Sequence, residues 1–293
     1  MLLLVARPSL SAIATAMREI VHYTVTEVEP YVNWLYFYHA WQMGGKPETD
    51  RESLRRDADA MLHEWGTRYS YHTHAVVGLF DANSEGDDLI INGTRMPMLR
   101  QQQPDAQTGV CLCLADFVRP SSKGVADRVG VFAATVDYMM ETSYHDDPYL
   151  RLLAQTLADR LAEATAERLH EQVRRQLWGY ASDEHLTMKE LHDEAFQGIR
   201  PAVGYPSLPD TSLNFLIEQF IAMSEIGIRL TENGAMRPHA SVSGLMLAHP
   251  QARYFPLGKI GPDQLADYAS RRGIPVEMAR KFLASSIINT TQP

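Results

Sequence analysis

The sequence predicts a mixed α+β fold with a largely antiparallel sheet. Three observations carry this reading. Apolar, β-prone runs cluster before residue 140, one long helical repeat follows, and strand-like runs return after residue 240. Strands gathered in blocks do not give the βαβ rhythm of a parallel sheet. With 293 residues, 45 % of them hydrophobic, the chain can bury a core without disulfide or metal staples.

Taken in order, Glu52 to Trp65 is amphipathic and reads as a helix. Ala75–Phe80 (AVVGLF), Leu89–Asn92 (LIIN), Val110–Val118 (VCLCLADFV) and Val129–Tyr138 (VGVFAATVDY) read as strands, with Asn83–Asp88 (NSEGDD) as a turn. Between Asp147 and Tyr180, Leu150, Leu153, Leu157, Leu161, Leu169, Val173 and Leu177 recur at helical spacing beside a stripe of Ala154, Ala158, Ala162 and Ala166. This predicts one helix over about residues 148–178, ~42 Å long, with Pro148 in its first turn and Gly179 at its end. The alanine stripe admits a close neighbour, and Asp159, Arg160, Glu167, Arg168 and Glu171 supply solvated faces. Thr211 or Ser212 is positioned to cap a helix closed by Gly227. Ser241–Ala248 and Arg253–Leu257 read as strands, and Pro262–Arg272 and a segment opening at Pro275 as helices.

Composition excludes several classes. The chain has 36 acidic against 27 basic residues, a formal charge of −9, which argues against a nucleic-acid partner. No apolar run approaches the ~20 residues of a membrane helix, so no membrane partner is expected. Arg7 follows the short apolar start where a signal peptide needs a cleavage site, and a surface helix over the first 18 or so residues is preferred to a transit segment. Cys111 and Cys113 form no disulfide framework; on a strand they share a face, and a reducing, cytoplasmic location follows. His72 and His74 read as two solvated histidines on a strand edge. The chain contains no G-x-G-x-x-G, Walker loop, G-x-S-x-G or H-E-x-x-H, and no histidine set with metal spacing.

Two segments stand out. Gln197–Pro209 packs three prolines and two glycines into 13 residues. Its prolines fix a rigid course, its glycines admit a close backbone or ligand, Arg200 offers a bidentate fork and Tyr205 a flat ring with a hydroxyl. Those groups suit a small zwitterion bearing an aromatic group; a plain surface connection is the other reading. Leu230–Met236 and Ala240–Gly244 are rich in small residues, the mark of a close approach by a ligand or of a tightly packed strand pair.

At these residues the chain resembles the activation (reactivation) domain of cobalamin-dependent methionine synthase. The matching pieces are NWLYFYHAW (Asn33–Trp41), VVGLFDANSEGDDL (Val76–Leu89), LRQQ (Leu99–Gln102), CLADFVRP (Cys113–Pro120), LADRLAEATAERLHEQVRRQLWGYA (Leu157–Ala181), QGIRPAVGYPSLPD (Gln197–Asp210), LTENGAMRPHASVSGLMLAHP (Leu230–Pro250) and GKIGPDQLADYA (Gly258–Ala269). The resemblance implies a single C-shaped α+β domain over residues 25–285, with a twisted, mostly antiparallel sheet, after an N-terminal extension (1–24) and before a tail (286–293). It implies binding of S-adenosylmethionine, with Arg200 on the carboxylate and the Ala202, Gly204 and Tyr205 backbone, Tyr254 and Phe255 around the ligand. Glu163 and Glu194 match acidic residues that face the ammonium or sulfonium. Asn33 stands where many members carry Asp, so a charge is missing there. The implied role is reductive methylation of inactive cob(II)alamin to methylcobalamin, the cobalamin being carried by a partner module. No D-x-H-x-x-G is present, so the chain alone does not complete methyl transfer to homocysteine. Flavodoxin or a flavoprotein reductase is the implied electron donor, with Arg174 and Arg175 as candidates for a basic docking patch. The alternative is a docking protein for a corrinoid protein or flavodoxin that has lost the ligand.

Overall fold

The computed structural model describes residues 17–105 and 109–288. In chain order the main elements are β1 (Met17–Thr24), α1 (Trp34–Ala40), α2 (Glu48–Thr67), β2 (His72–Glu85), β3 (Asp88–Ile91), β4 (Thr94–Pro97), β5 (Asp127–Val136), α3 (Pro148–Gln172), α4 (Asn214–Ile221), β6 (Ser241–Met246), α5 (Pro262–Arg272) and α6 (Val276–Phe282). The sheet runs β4-β3-β2-β5-β6, with β1 beside the first half of β2, and every pairing in it is antiparallel. It curls as a half-barrel flanked by helices, the single α+β domain expected.

Strand alternation explains why β2 reads as nearly continuous apolar sequence. Ala75, Val77 and Leu79 face one core with α2 and α3, while Val76, Phe80 and Ala82 face a second core with α4. The alanines 154, 158, 162 and 166 are all buried in the first core, so their small side chains let α3 lie close against the sheet. A π-turn, Val173–Leu177, continues α3 to a total near the expected end, and Gly179 follows at φ 74°. A third core joins Leu99, Leu257 and Ile260 to α5 and α6.

Several elements differ from expectation. Val110–Val118 is not a strand: Cys113 makes one bridge to Arg100, and Leu114–Phe117 turn as a 3-10 helix. The Asp116 carboxylate causes this, accepting from the Cys113 N–H at 2.9 Å and from Arg100 Nη2 at 2.7 Å. Cys113 is buried while Cys111 is partly exposed, and burial pushes the Cys113 thiol up to about 12, so it is unreactive. Arg253–Leu257 is irregular rather than a strand, its Leu257 N–H bonding the Pro206 carbonyl at 2.9 Å. Asp210, not Thr211 or Ser212, caps the turn before α4, accepting from the Ser212 N–H at 2.8 Å. α4 ends at Ala222 in a left-handed conformation (φ 48°), before Gly227 closes a separate 3-10 turn.

Residues 17–24 of the expected extension are a full strand, Met17 opposite Leu79 through Thr24 opposite His72. At the other end, Ser286 and Ile287 of the expected tail are buried against Ile260. The packed unit is therefore wider than 25–285. The helix expected over the first residues lies outside the described residues up to 16, and Met17 and Arg18 belong to β1. His72 and His74 are half-buried rather than solvated: His74 Nε2 lies 3.0 Å from Asp137 Oδ1 and its Nδ1 2.7 Å from His22 Nδ1.

The exposed edge of β6 carries the Gln197–Pro209 segment. Ile199 and Leu247 exchange both backbone bonds, the Leu245 N–H bonds the Pro201 carbonyl at 3.0 Å, and the Val203 N–H bonds the Ser243 carbonyl at 2.8 Å. A Cβ on Gly244 would stand 2.2 Å from the Pro201 oxygen, so the small residues of Ala240–Gly244 mark a backbone approach. Gly244→Ala is expected to destabilise the domain by about 2 kcal/mol and to lower its melting temperature; an unchanged melt contradicts this packing.

Candidate functional site

The cleft lies where three elements meet. α3 supplies one wall: Arg160, Glu163, Ala164 and Glu167 follow one another at helical spacing on its open face. The segment on β6 supplies the second, through Arg200, Ala202, Tyr205, Pro206 and Ser207. Tyr31, Asn33 and Tyr36 close it from the start of α1, and His192, Glu194, Tyr254, Phe255 and Pro256 complete the rim. Its volume of about 680 Å³ lies within the range of small-molecule sites.

The central feature is an ion pair. Arg200 Nη2 donates to Glu167 Oε1 at 2.6 Å, with the two side chains only 10 % and 20 % exposed. Glu167 Oε2 and Arg200 Nη1 are both buried and have no partner. The Arg200 N–H donates to the Tyr254 hydroxyl at 2.8 Å, so that ring is fixed against the arginine's own backbone. Across the cleft, the Tyr205 hydroxyl donates to Glu163 Oε1. Burial, then the Glu163 charge, push the Tyr205 phenol well up, so it stays a donor. Phe255 is buried, packed on Phe117 at 6.4 Å between ring centres.

Of the nine residues expected from sequence, Asn33, Glu163, Glu194, Arg200, Ala202, Tyr205, Tyr254 and Phe255 all line this cleft. Gly204 does not: at φ 89° it forms the turn behind the wall, its N–H bonded to the Leu208 carbonyl at 2.8 Å. The Tyr205 N–H is likewise taken, by the Ala202 carbonyl at 3.2 Å. Asn33 caps α1, its Oδ1 accepting from the Leu35 N–H at 3.1 Å. Glu194 holds a left-handed conformation (φ 56°), a strain of roughly 1–2 kcal/mol. Burial, then the Glu167 charge, raise its pKa against the pull of Arg200.

Sequence reasoning missed Tyr31, Tyr36, Arg160, Glu167 and His192. The signal was present for two of them, since Arg160 and Glu167 sit three before and four after Glu163 on one helix face. Glu167 and Glu171, read as solvated, are instead largely buried at 20 % and 13 % side-chain exposure.

Arg174 cannot dock a partner. Its side chain is 0 % exposed, paired with Glu184 at 2.6 Å and stacked over Phe196. The π-turn rotates it inward, where it anchors the loop leading to Glu194 and Arg200. Arg175 stays partly exposed and pairs with Glu171 at 2.9 Å. Among the described residues, no group of three or more metal-ligating side chains exists and no helix is long and apolar enough to cross a membrane.

A rigid cleft with a half-used arginine fork, a half-used carboxylate beside it and aromatic walls defines a binding domain for a small zwitterion that carries a ring. The chain belongs to the family described as the activation domain of vitamin B12 dependent methionine synthase, which it matches over residues 24–273. It is similar in structure to the crystal structure of the MetH reactivation domain bound to AdoHcy, with a TM-score of 0.86 and 36 % identity, covering 92 % of this chain and 90 % of that one.

Glu171, which accepts from the cleft residue Tyr31, gives the fold an acid limit. Burial alone raises its pKa, but bonds from Tyr31 and Arg175 and the charge of Arg168 bring it below the usual 4.5. A folded value below the unfolded one gives stability that is complete only well above about pH 4.5 and is lost as pH falls through the unfolded and then the folded value. Glu171→Gln is therefore expected to flatten the fall in stability between about pH 5.5 and pH 3, measured by urea melts. Parallel curves for the two proteins contradict it.

Proposed function

We propose that this chain binds S-adenosylmethionine in the α3 cleft and supports the reductive methylation of inactive cob(II)alamin on a partner module. The single observation that carries the reading is the Arg200 fork in the cleft wall, held beside Glu167 with its Nη1 buried and without a partner. An arginine fixed in that way is a preorganised carboxylate receptor. The family assignment and the AdoHcy-bound structural neighbour support the same ligand class.

Bound there, S-adenosylmethionine supplies a methyl group carried on a sulfonium. The chain's own residues hold and orient it. Arg200 takes the carboxylate. Tyr31, Tyr36, Tyr254 and Phe255 offer the flat apolar walls that an adenosine group requires, and Tyr254 is fixed by its bond to the Arg200 backbone. Wall carboxylates outnumber guanidiniums, with Glu163, Glu167 and Glu194 against Arg160 and Arg200, a balance that favours a cationic ligand. Glu163, tied to Tyr205, fixes the width of the cleft.

The finer roles extend from this reading. The partner is a cobalamin-carrying module of methionine synthase, the whole enzyme transfers the methyl group to homocysteine, the electron donor is flavodoxin or a flavoprotein reductase, and the setting is cytoplasmic. With Arg174 buried, a basic patch for an acidic donor must use other residues.

Calorimetry is expected to show binding of S-adenosylmethionine, and Arg200→Ala to weaken it at least tenfold while the protein stays folded by circular dichroism. Absence of binding by the wild type at millimolar ligand overturns the proposal. With a cobalamin-bearing methionine synthase module and a reducing agent, the chain is expected to give methylcobalamin, read from its visible spectrum, only when S-adenosylmethionine is present. Formation of the same product without the chain contradicts the role.

A further inference from the structure

The cleft wall holds three carboxylates whose surroundings differ. Glu163 accepts from the Tyr205 hydroxyl. Glu194 stands on the rim, and among the described residues its carboxylate has no hydrogen-bond donor. Glu167 uses Oε1 for Arg200, and its Oε2 is the one carboxylate oxygen among the described residues that is both buried and without a partner. The neighbouring Arg200 Nη1 is in the same condition.

We infer that Glu167 is the residue that holds the ligand's ammonium, its Oε2 acting as a pair with Arg200 Nη1 on the adjacent carboxylate. The inference rests on the reading of the cleft given above, that its ligand carries an α-amino acid group.

Three observations support the assignment. The ammonium and carboxylate of an α-amino acid are separated by a single carbon, so their receptors must be neighbours. Glu167 and Arg200 meet at 2.6 Å, and each leaves one polar atom unspent. Second, Asn33 brings no charge, and its oxygen already accepts from the Leu35 N–H at 3.1 Å to cap α1. What remains is one lone pair on a neutral oxygen, a weaker partner for an ammonium than a carboxylate. Third, among the described residues Arg200 is the only ion-pair partner of Glu167, and the nearby Arg174 is paired with Glu184. His170, buried beneath them, is held neutral by its burial, with Arg174 and Arg200 adding to that effect. Glu167 also makes Arg200 a better receptor, because the ion pair fixes the guanidinium plane before ligand arrives.

The test compares two ligands on the full chain: S-adenosylhomocysteine and its analogue lacking only the α-amino group. Wild type is expected to prefer the amino-bearing ligand by about tenfold or more, the usual range for a charge-assisted hydrogen bond. Glu167→Gln, which keeps an oxygen for Arg200, is expected to reduce that preference to within about threefold, with binding of the deaminated analogue little changed. Glu163→Gln is expected to retain the preference. A preference that survives in Glu167→Gln, or that disappears in Glu163→Gln instead, overturns the assignment. Should Glu167→Gln not fold, Glu167→Asp carries the test: the shortened arm is expected to cut the preference at least threefold, and an unchanged preference overturns the assignment. Wild type binding neither ligand overturns the reading of the cleft itself; wild type binding both equally overturns only the role of Glu167.

Discussion

The pairing of residues 199–203 with the edge of β6 is the constraint on which the site depends. A segment with prolines at 201 and 206 cannot be an ordinary central strand, because each proline lacks a donor. Pro201 keeps the acceptor half of its pair with Leu245 and forfeits the other half, while Ile199 and Val203 anchor the segment on either side. The approach is so close that residue 244 has no room for a side chain. That arrangement covers the sheet edge and fixes the direction in which Arg200 leaves the backbone. An arginine on a free loop would spend conformational entropy on every binding event; one rooted in a sheet does not.

The opposite wall is as rigid for a different reason. α3 and its π-turn form one continuous element from Pro148 to Leu177 that buries an alanine row against the sheet. The same element turns Arg160, Glu163 and Glu167 toward the cleft. The distance between sheet and helix therefore also sets the distance from Arg200 to Glu167. An ion pair at that depth adds little net stability, since desolvation offsets most of its attraction. Its consequence is geometric: it locks two charged groups in place with one unspent atom each. The buried Arg174–Glu184 pair and Phe196 do comparable work beneath, holding the loop that delivers Glu194 and Arg200.

Much of the fold was legible because periodicity reports burial. The length of α3, the strands β2, β3, β5 and β6, and the helices α5 and α6 all follow from spacing of apolar residues and from Pro and Gly at their ends. The failures share a cause. Val110–Val118 has a strand's composition, yet Asp116 captures the Cys113 N–H and turns the chain. β1 was invisible because only one of its residues is fully buried, so its pattern against β2 is faint. Arg174 looked like a surface charge because nothing local announces a π-turn that faces it inward.

The α+β class, the long helix and eight of the residues that line the cleft are readable in the sequence alone, through hydrophobic period, turn chemistry and family-specific segments such as RPAVGYP. Tertiary structure decided which polar atoms remain unspent. The Gly204 and Tyr205 amides are taken within their own turn, Asn33 Oδ1 caps α1 and one Glu163 oxygen accepts from Tyr205, while Glu167 and Arg200 each keep one buried atom without a partner. A sequence lists donors and acceptors but not their partners. Those partners lie up to scores of residues away, as with Glu167 and Arg200 at a separation of 33, and only the packed chain assigns them.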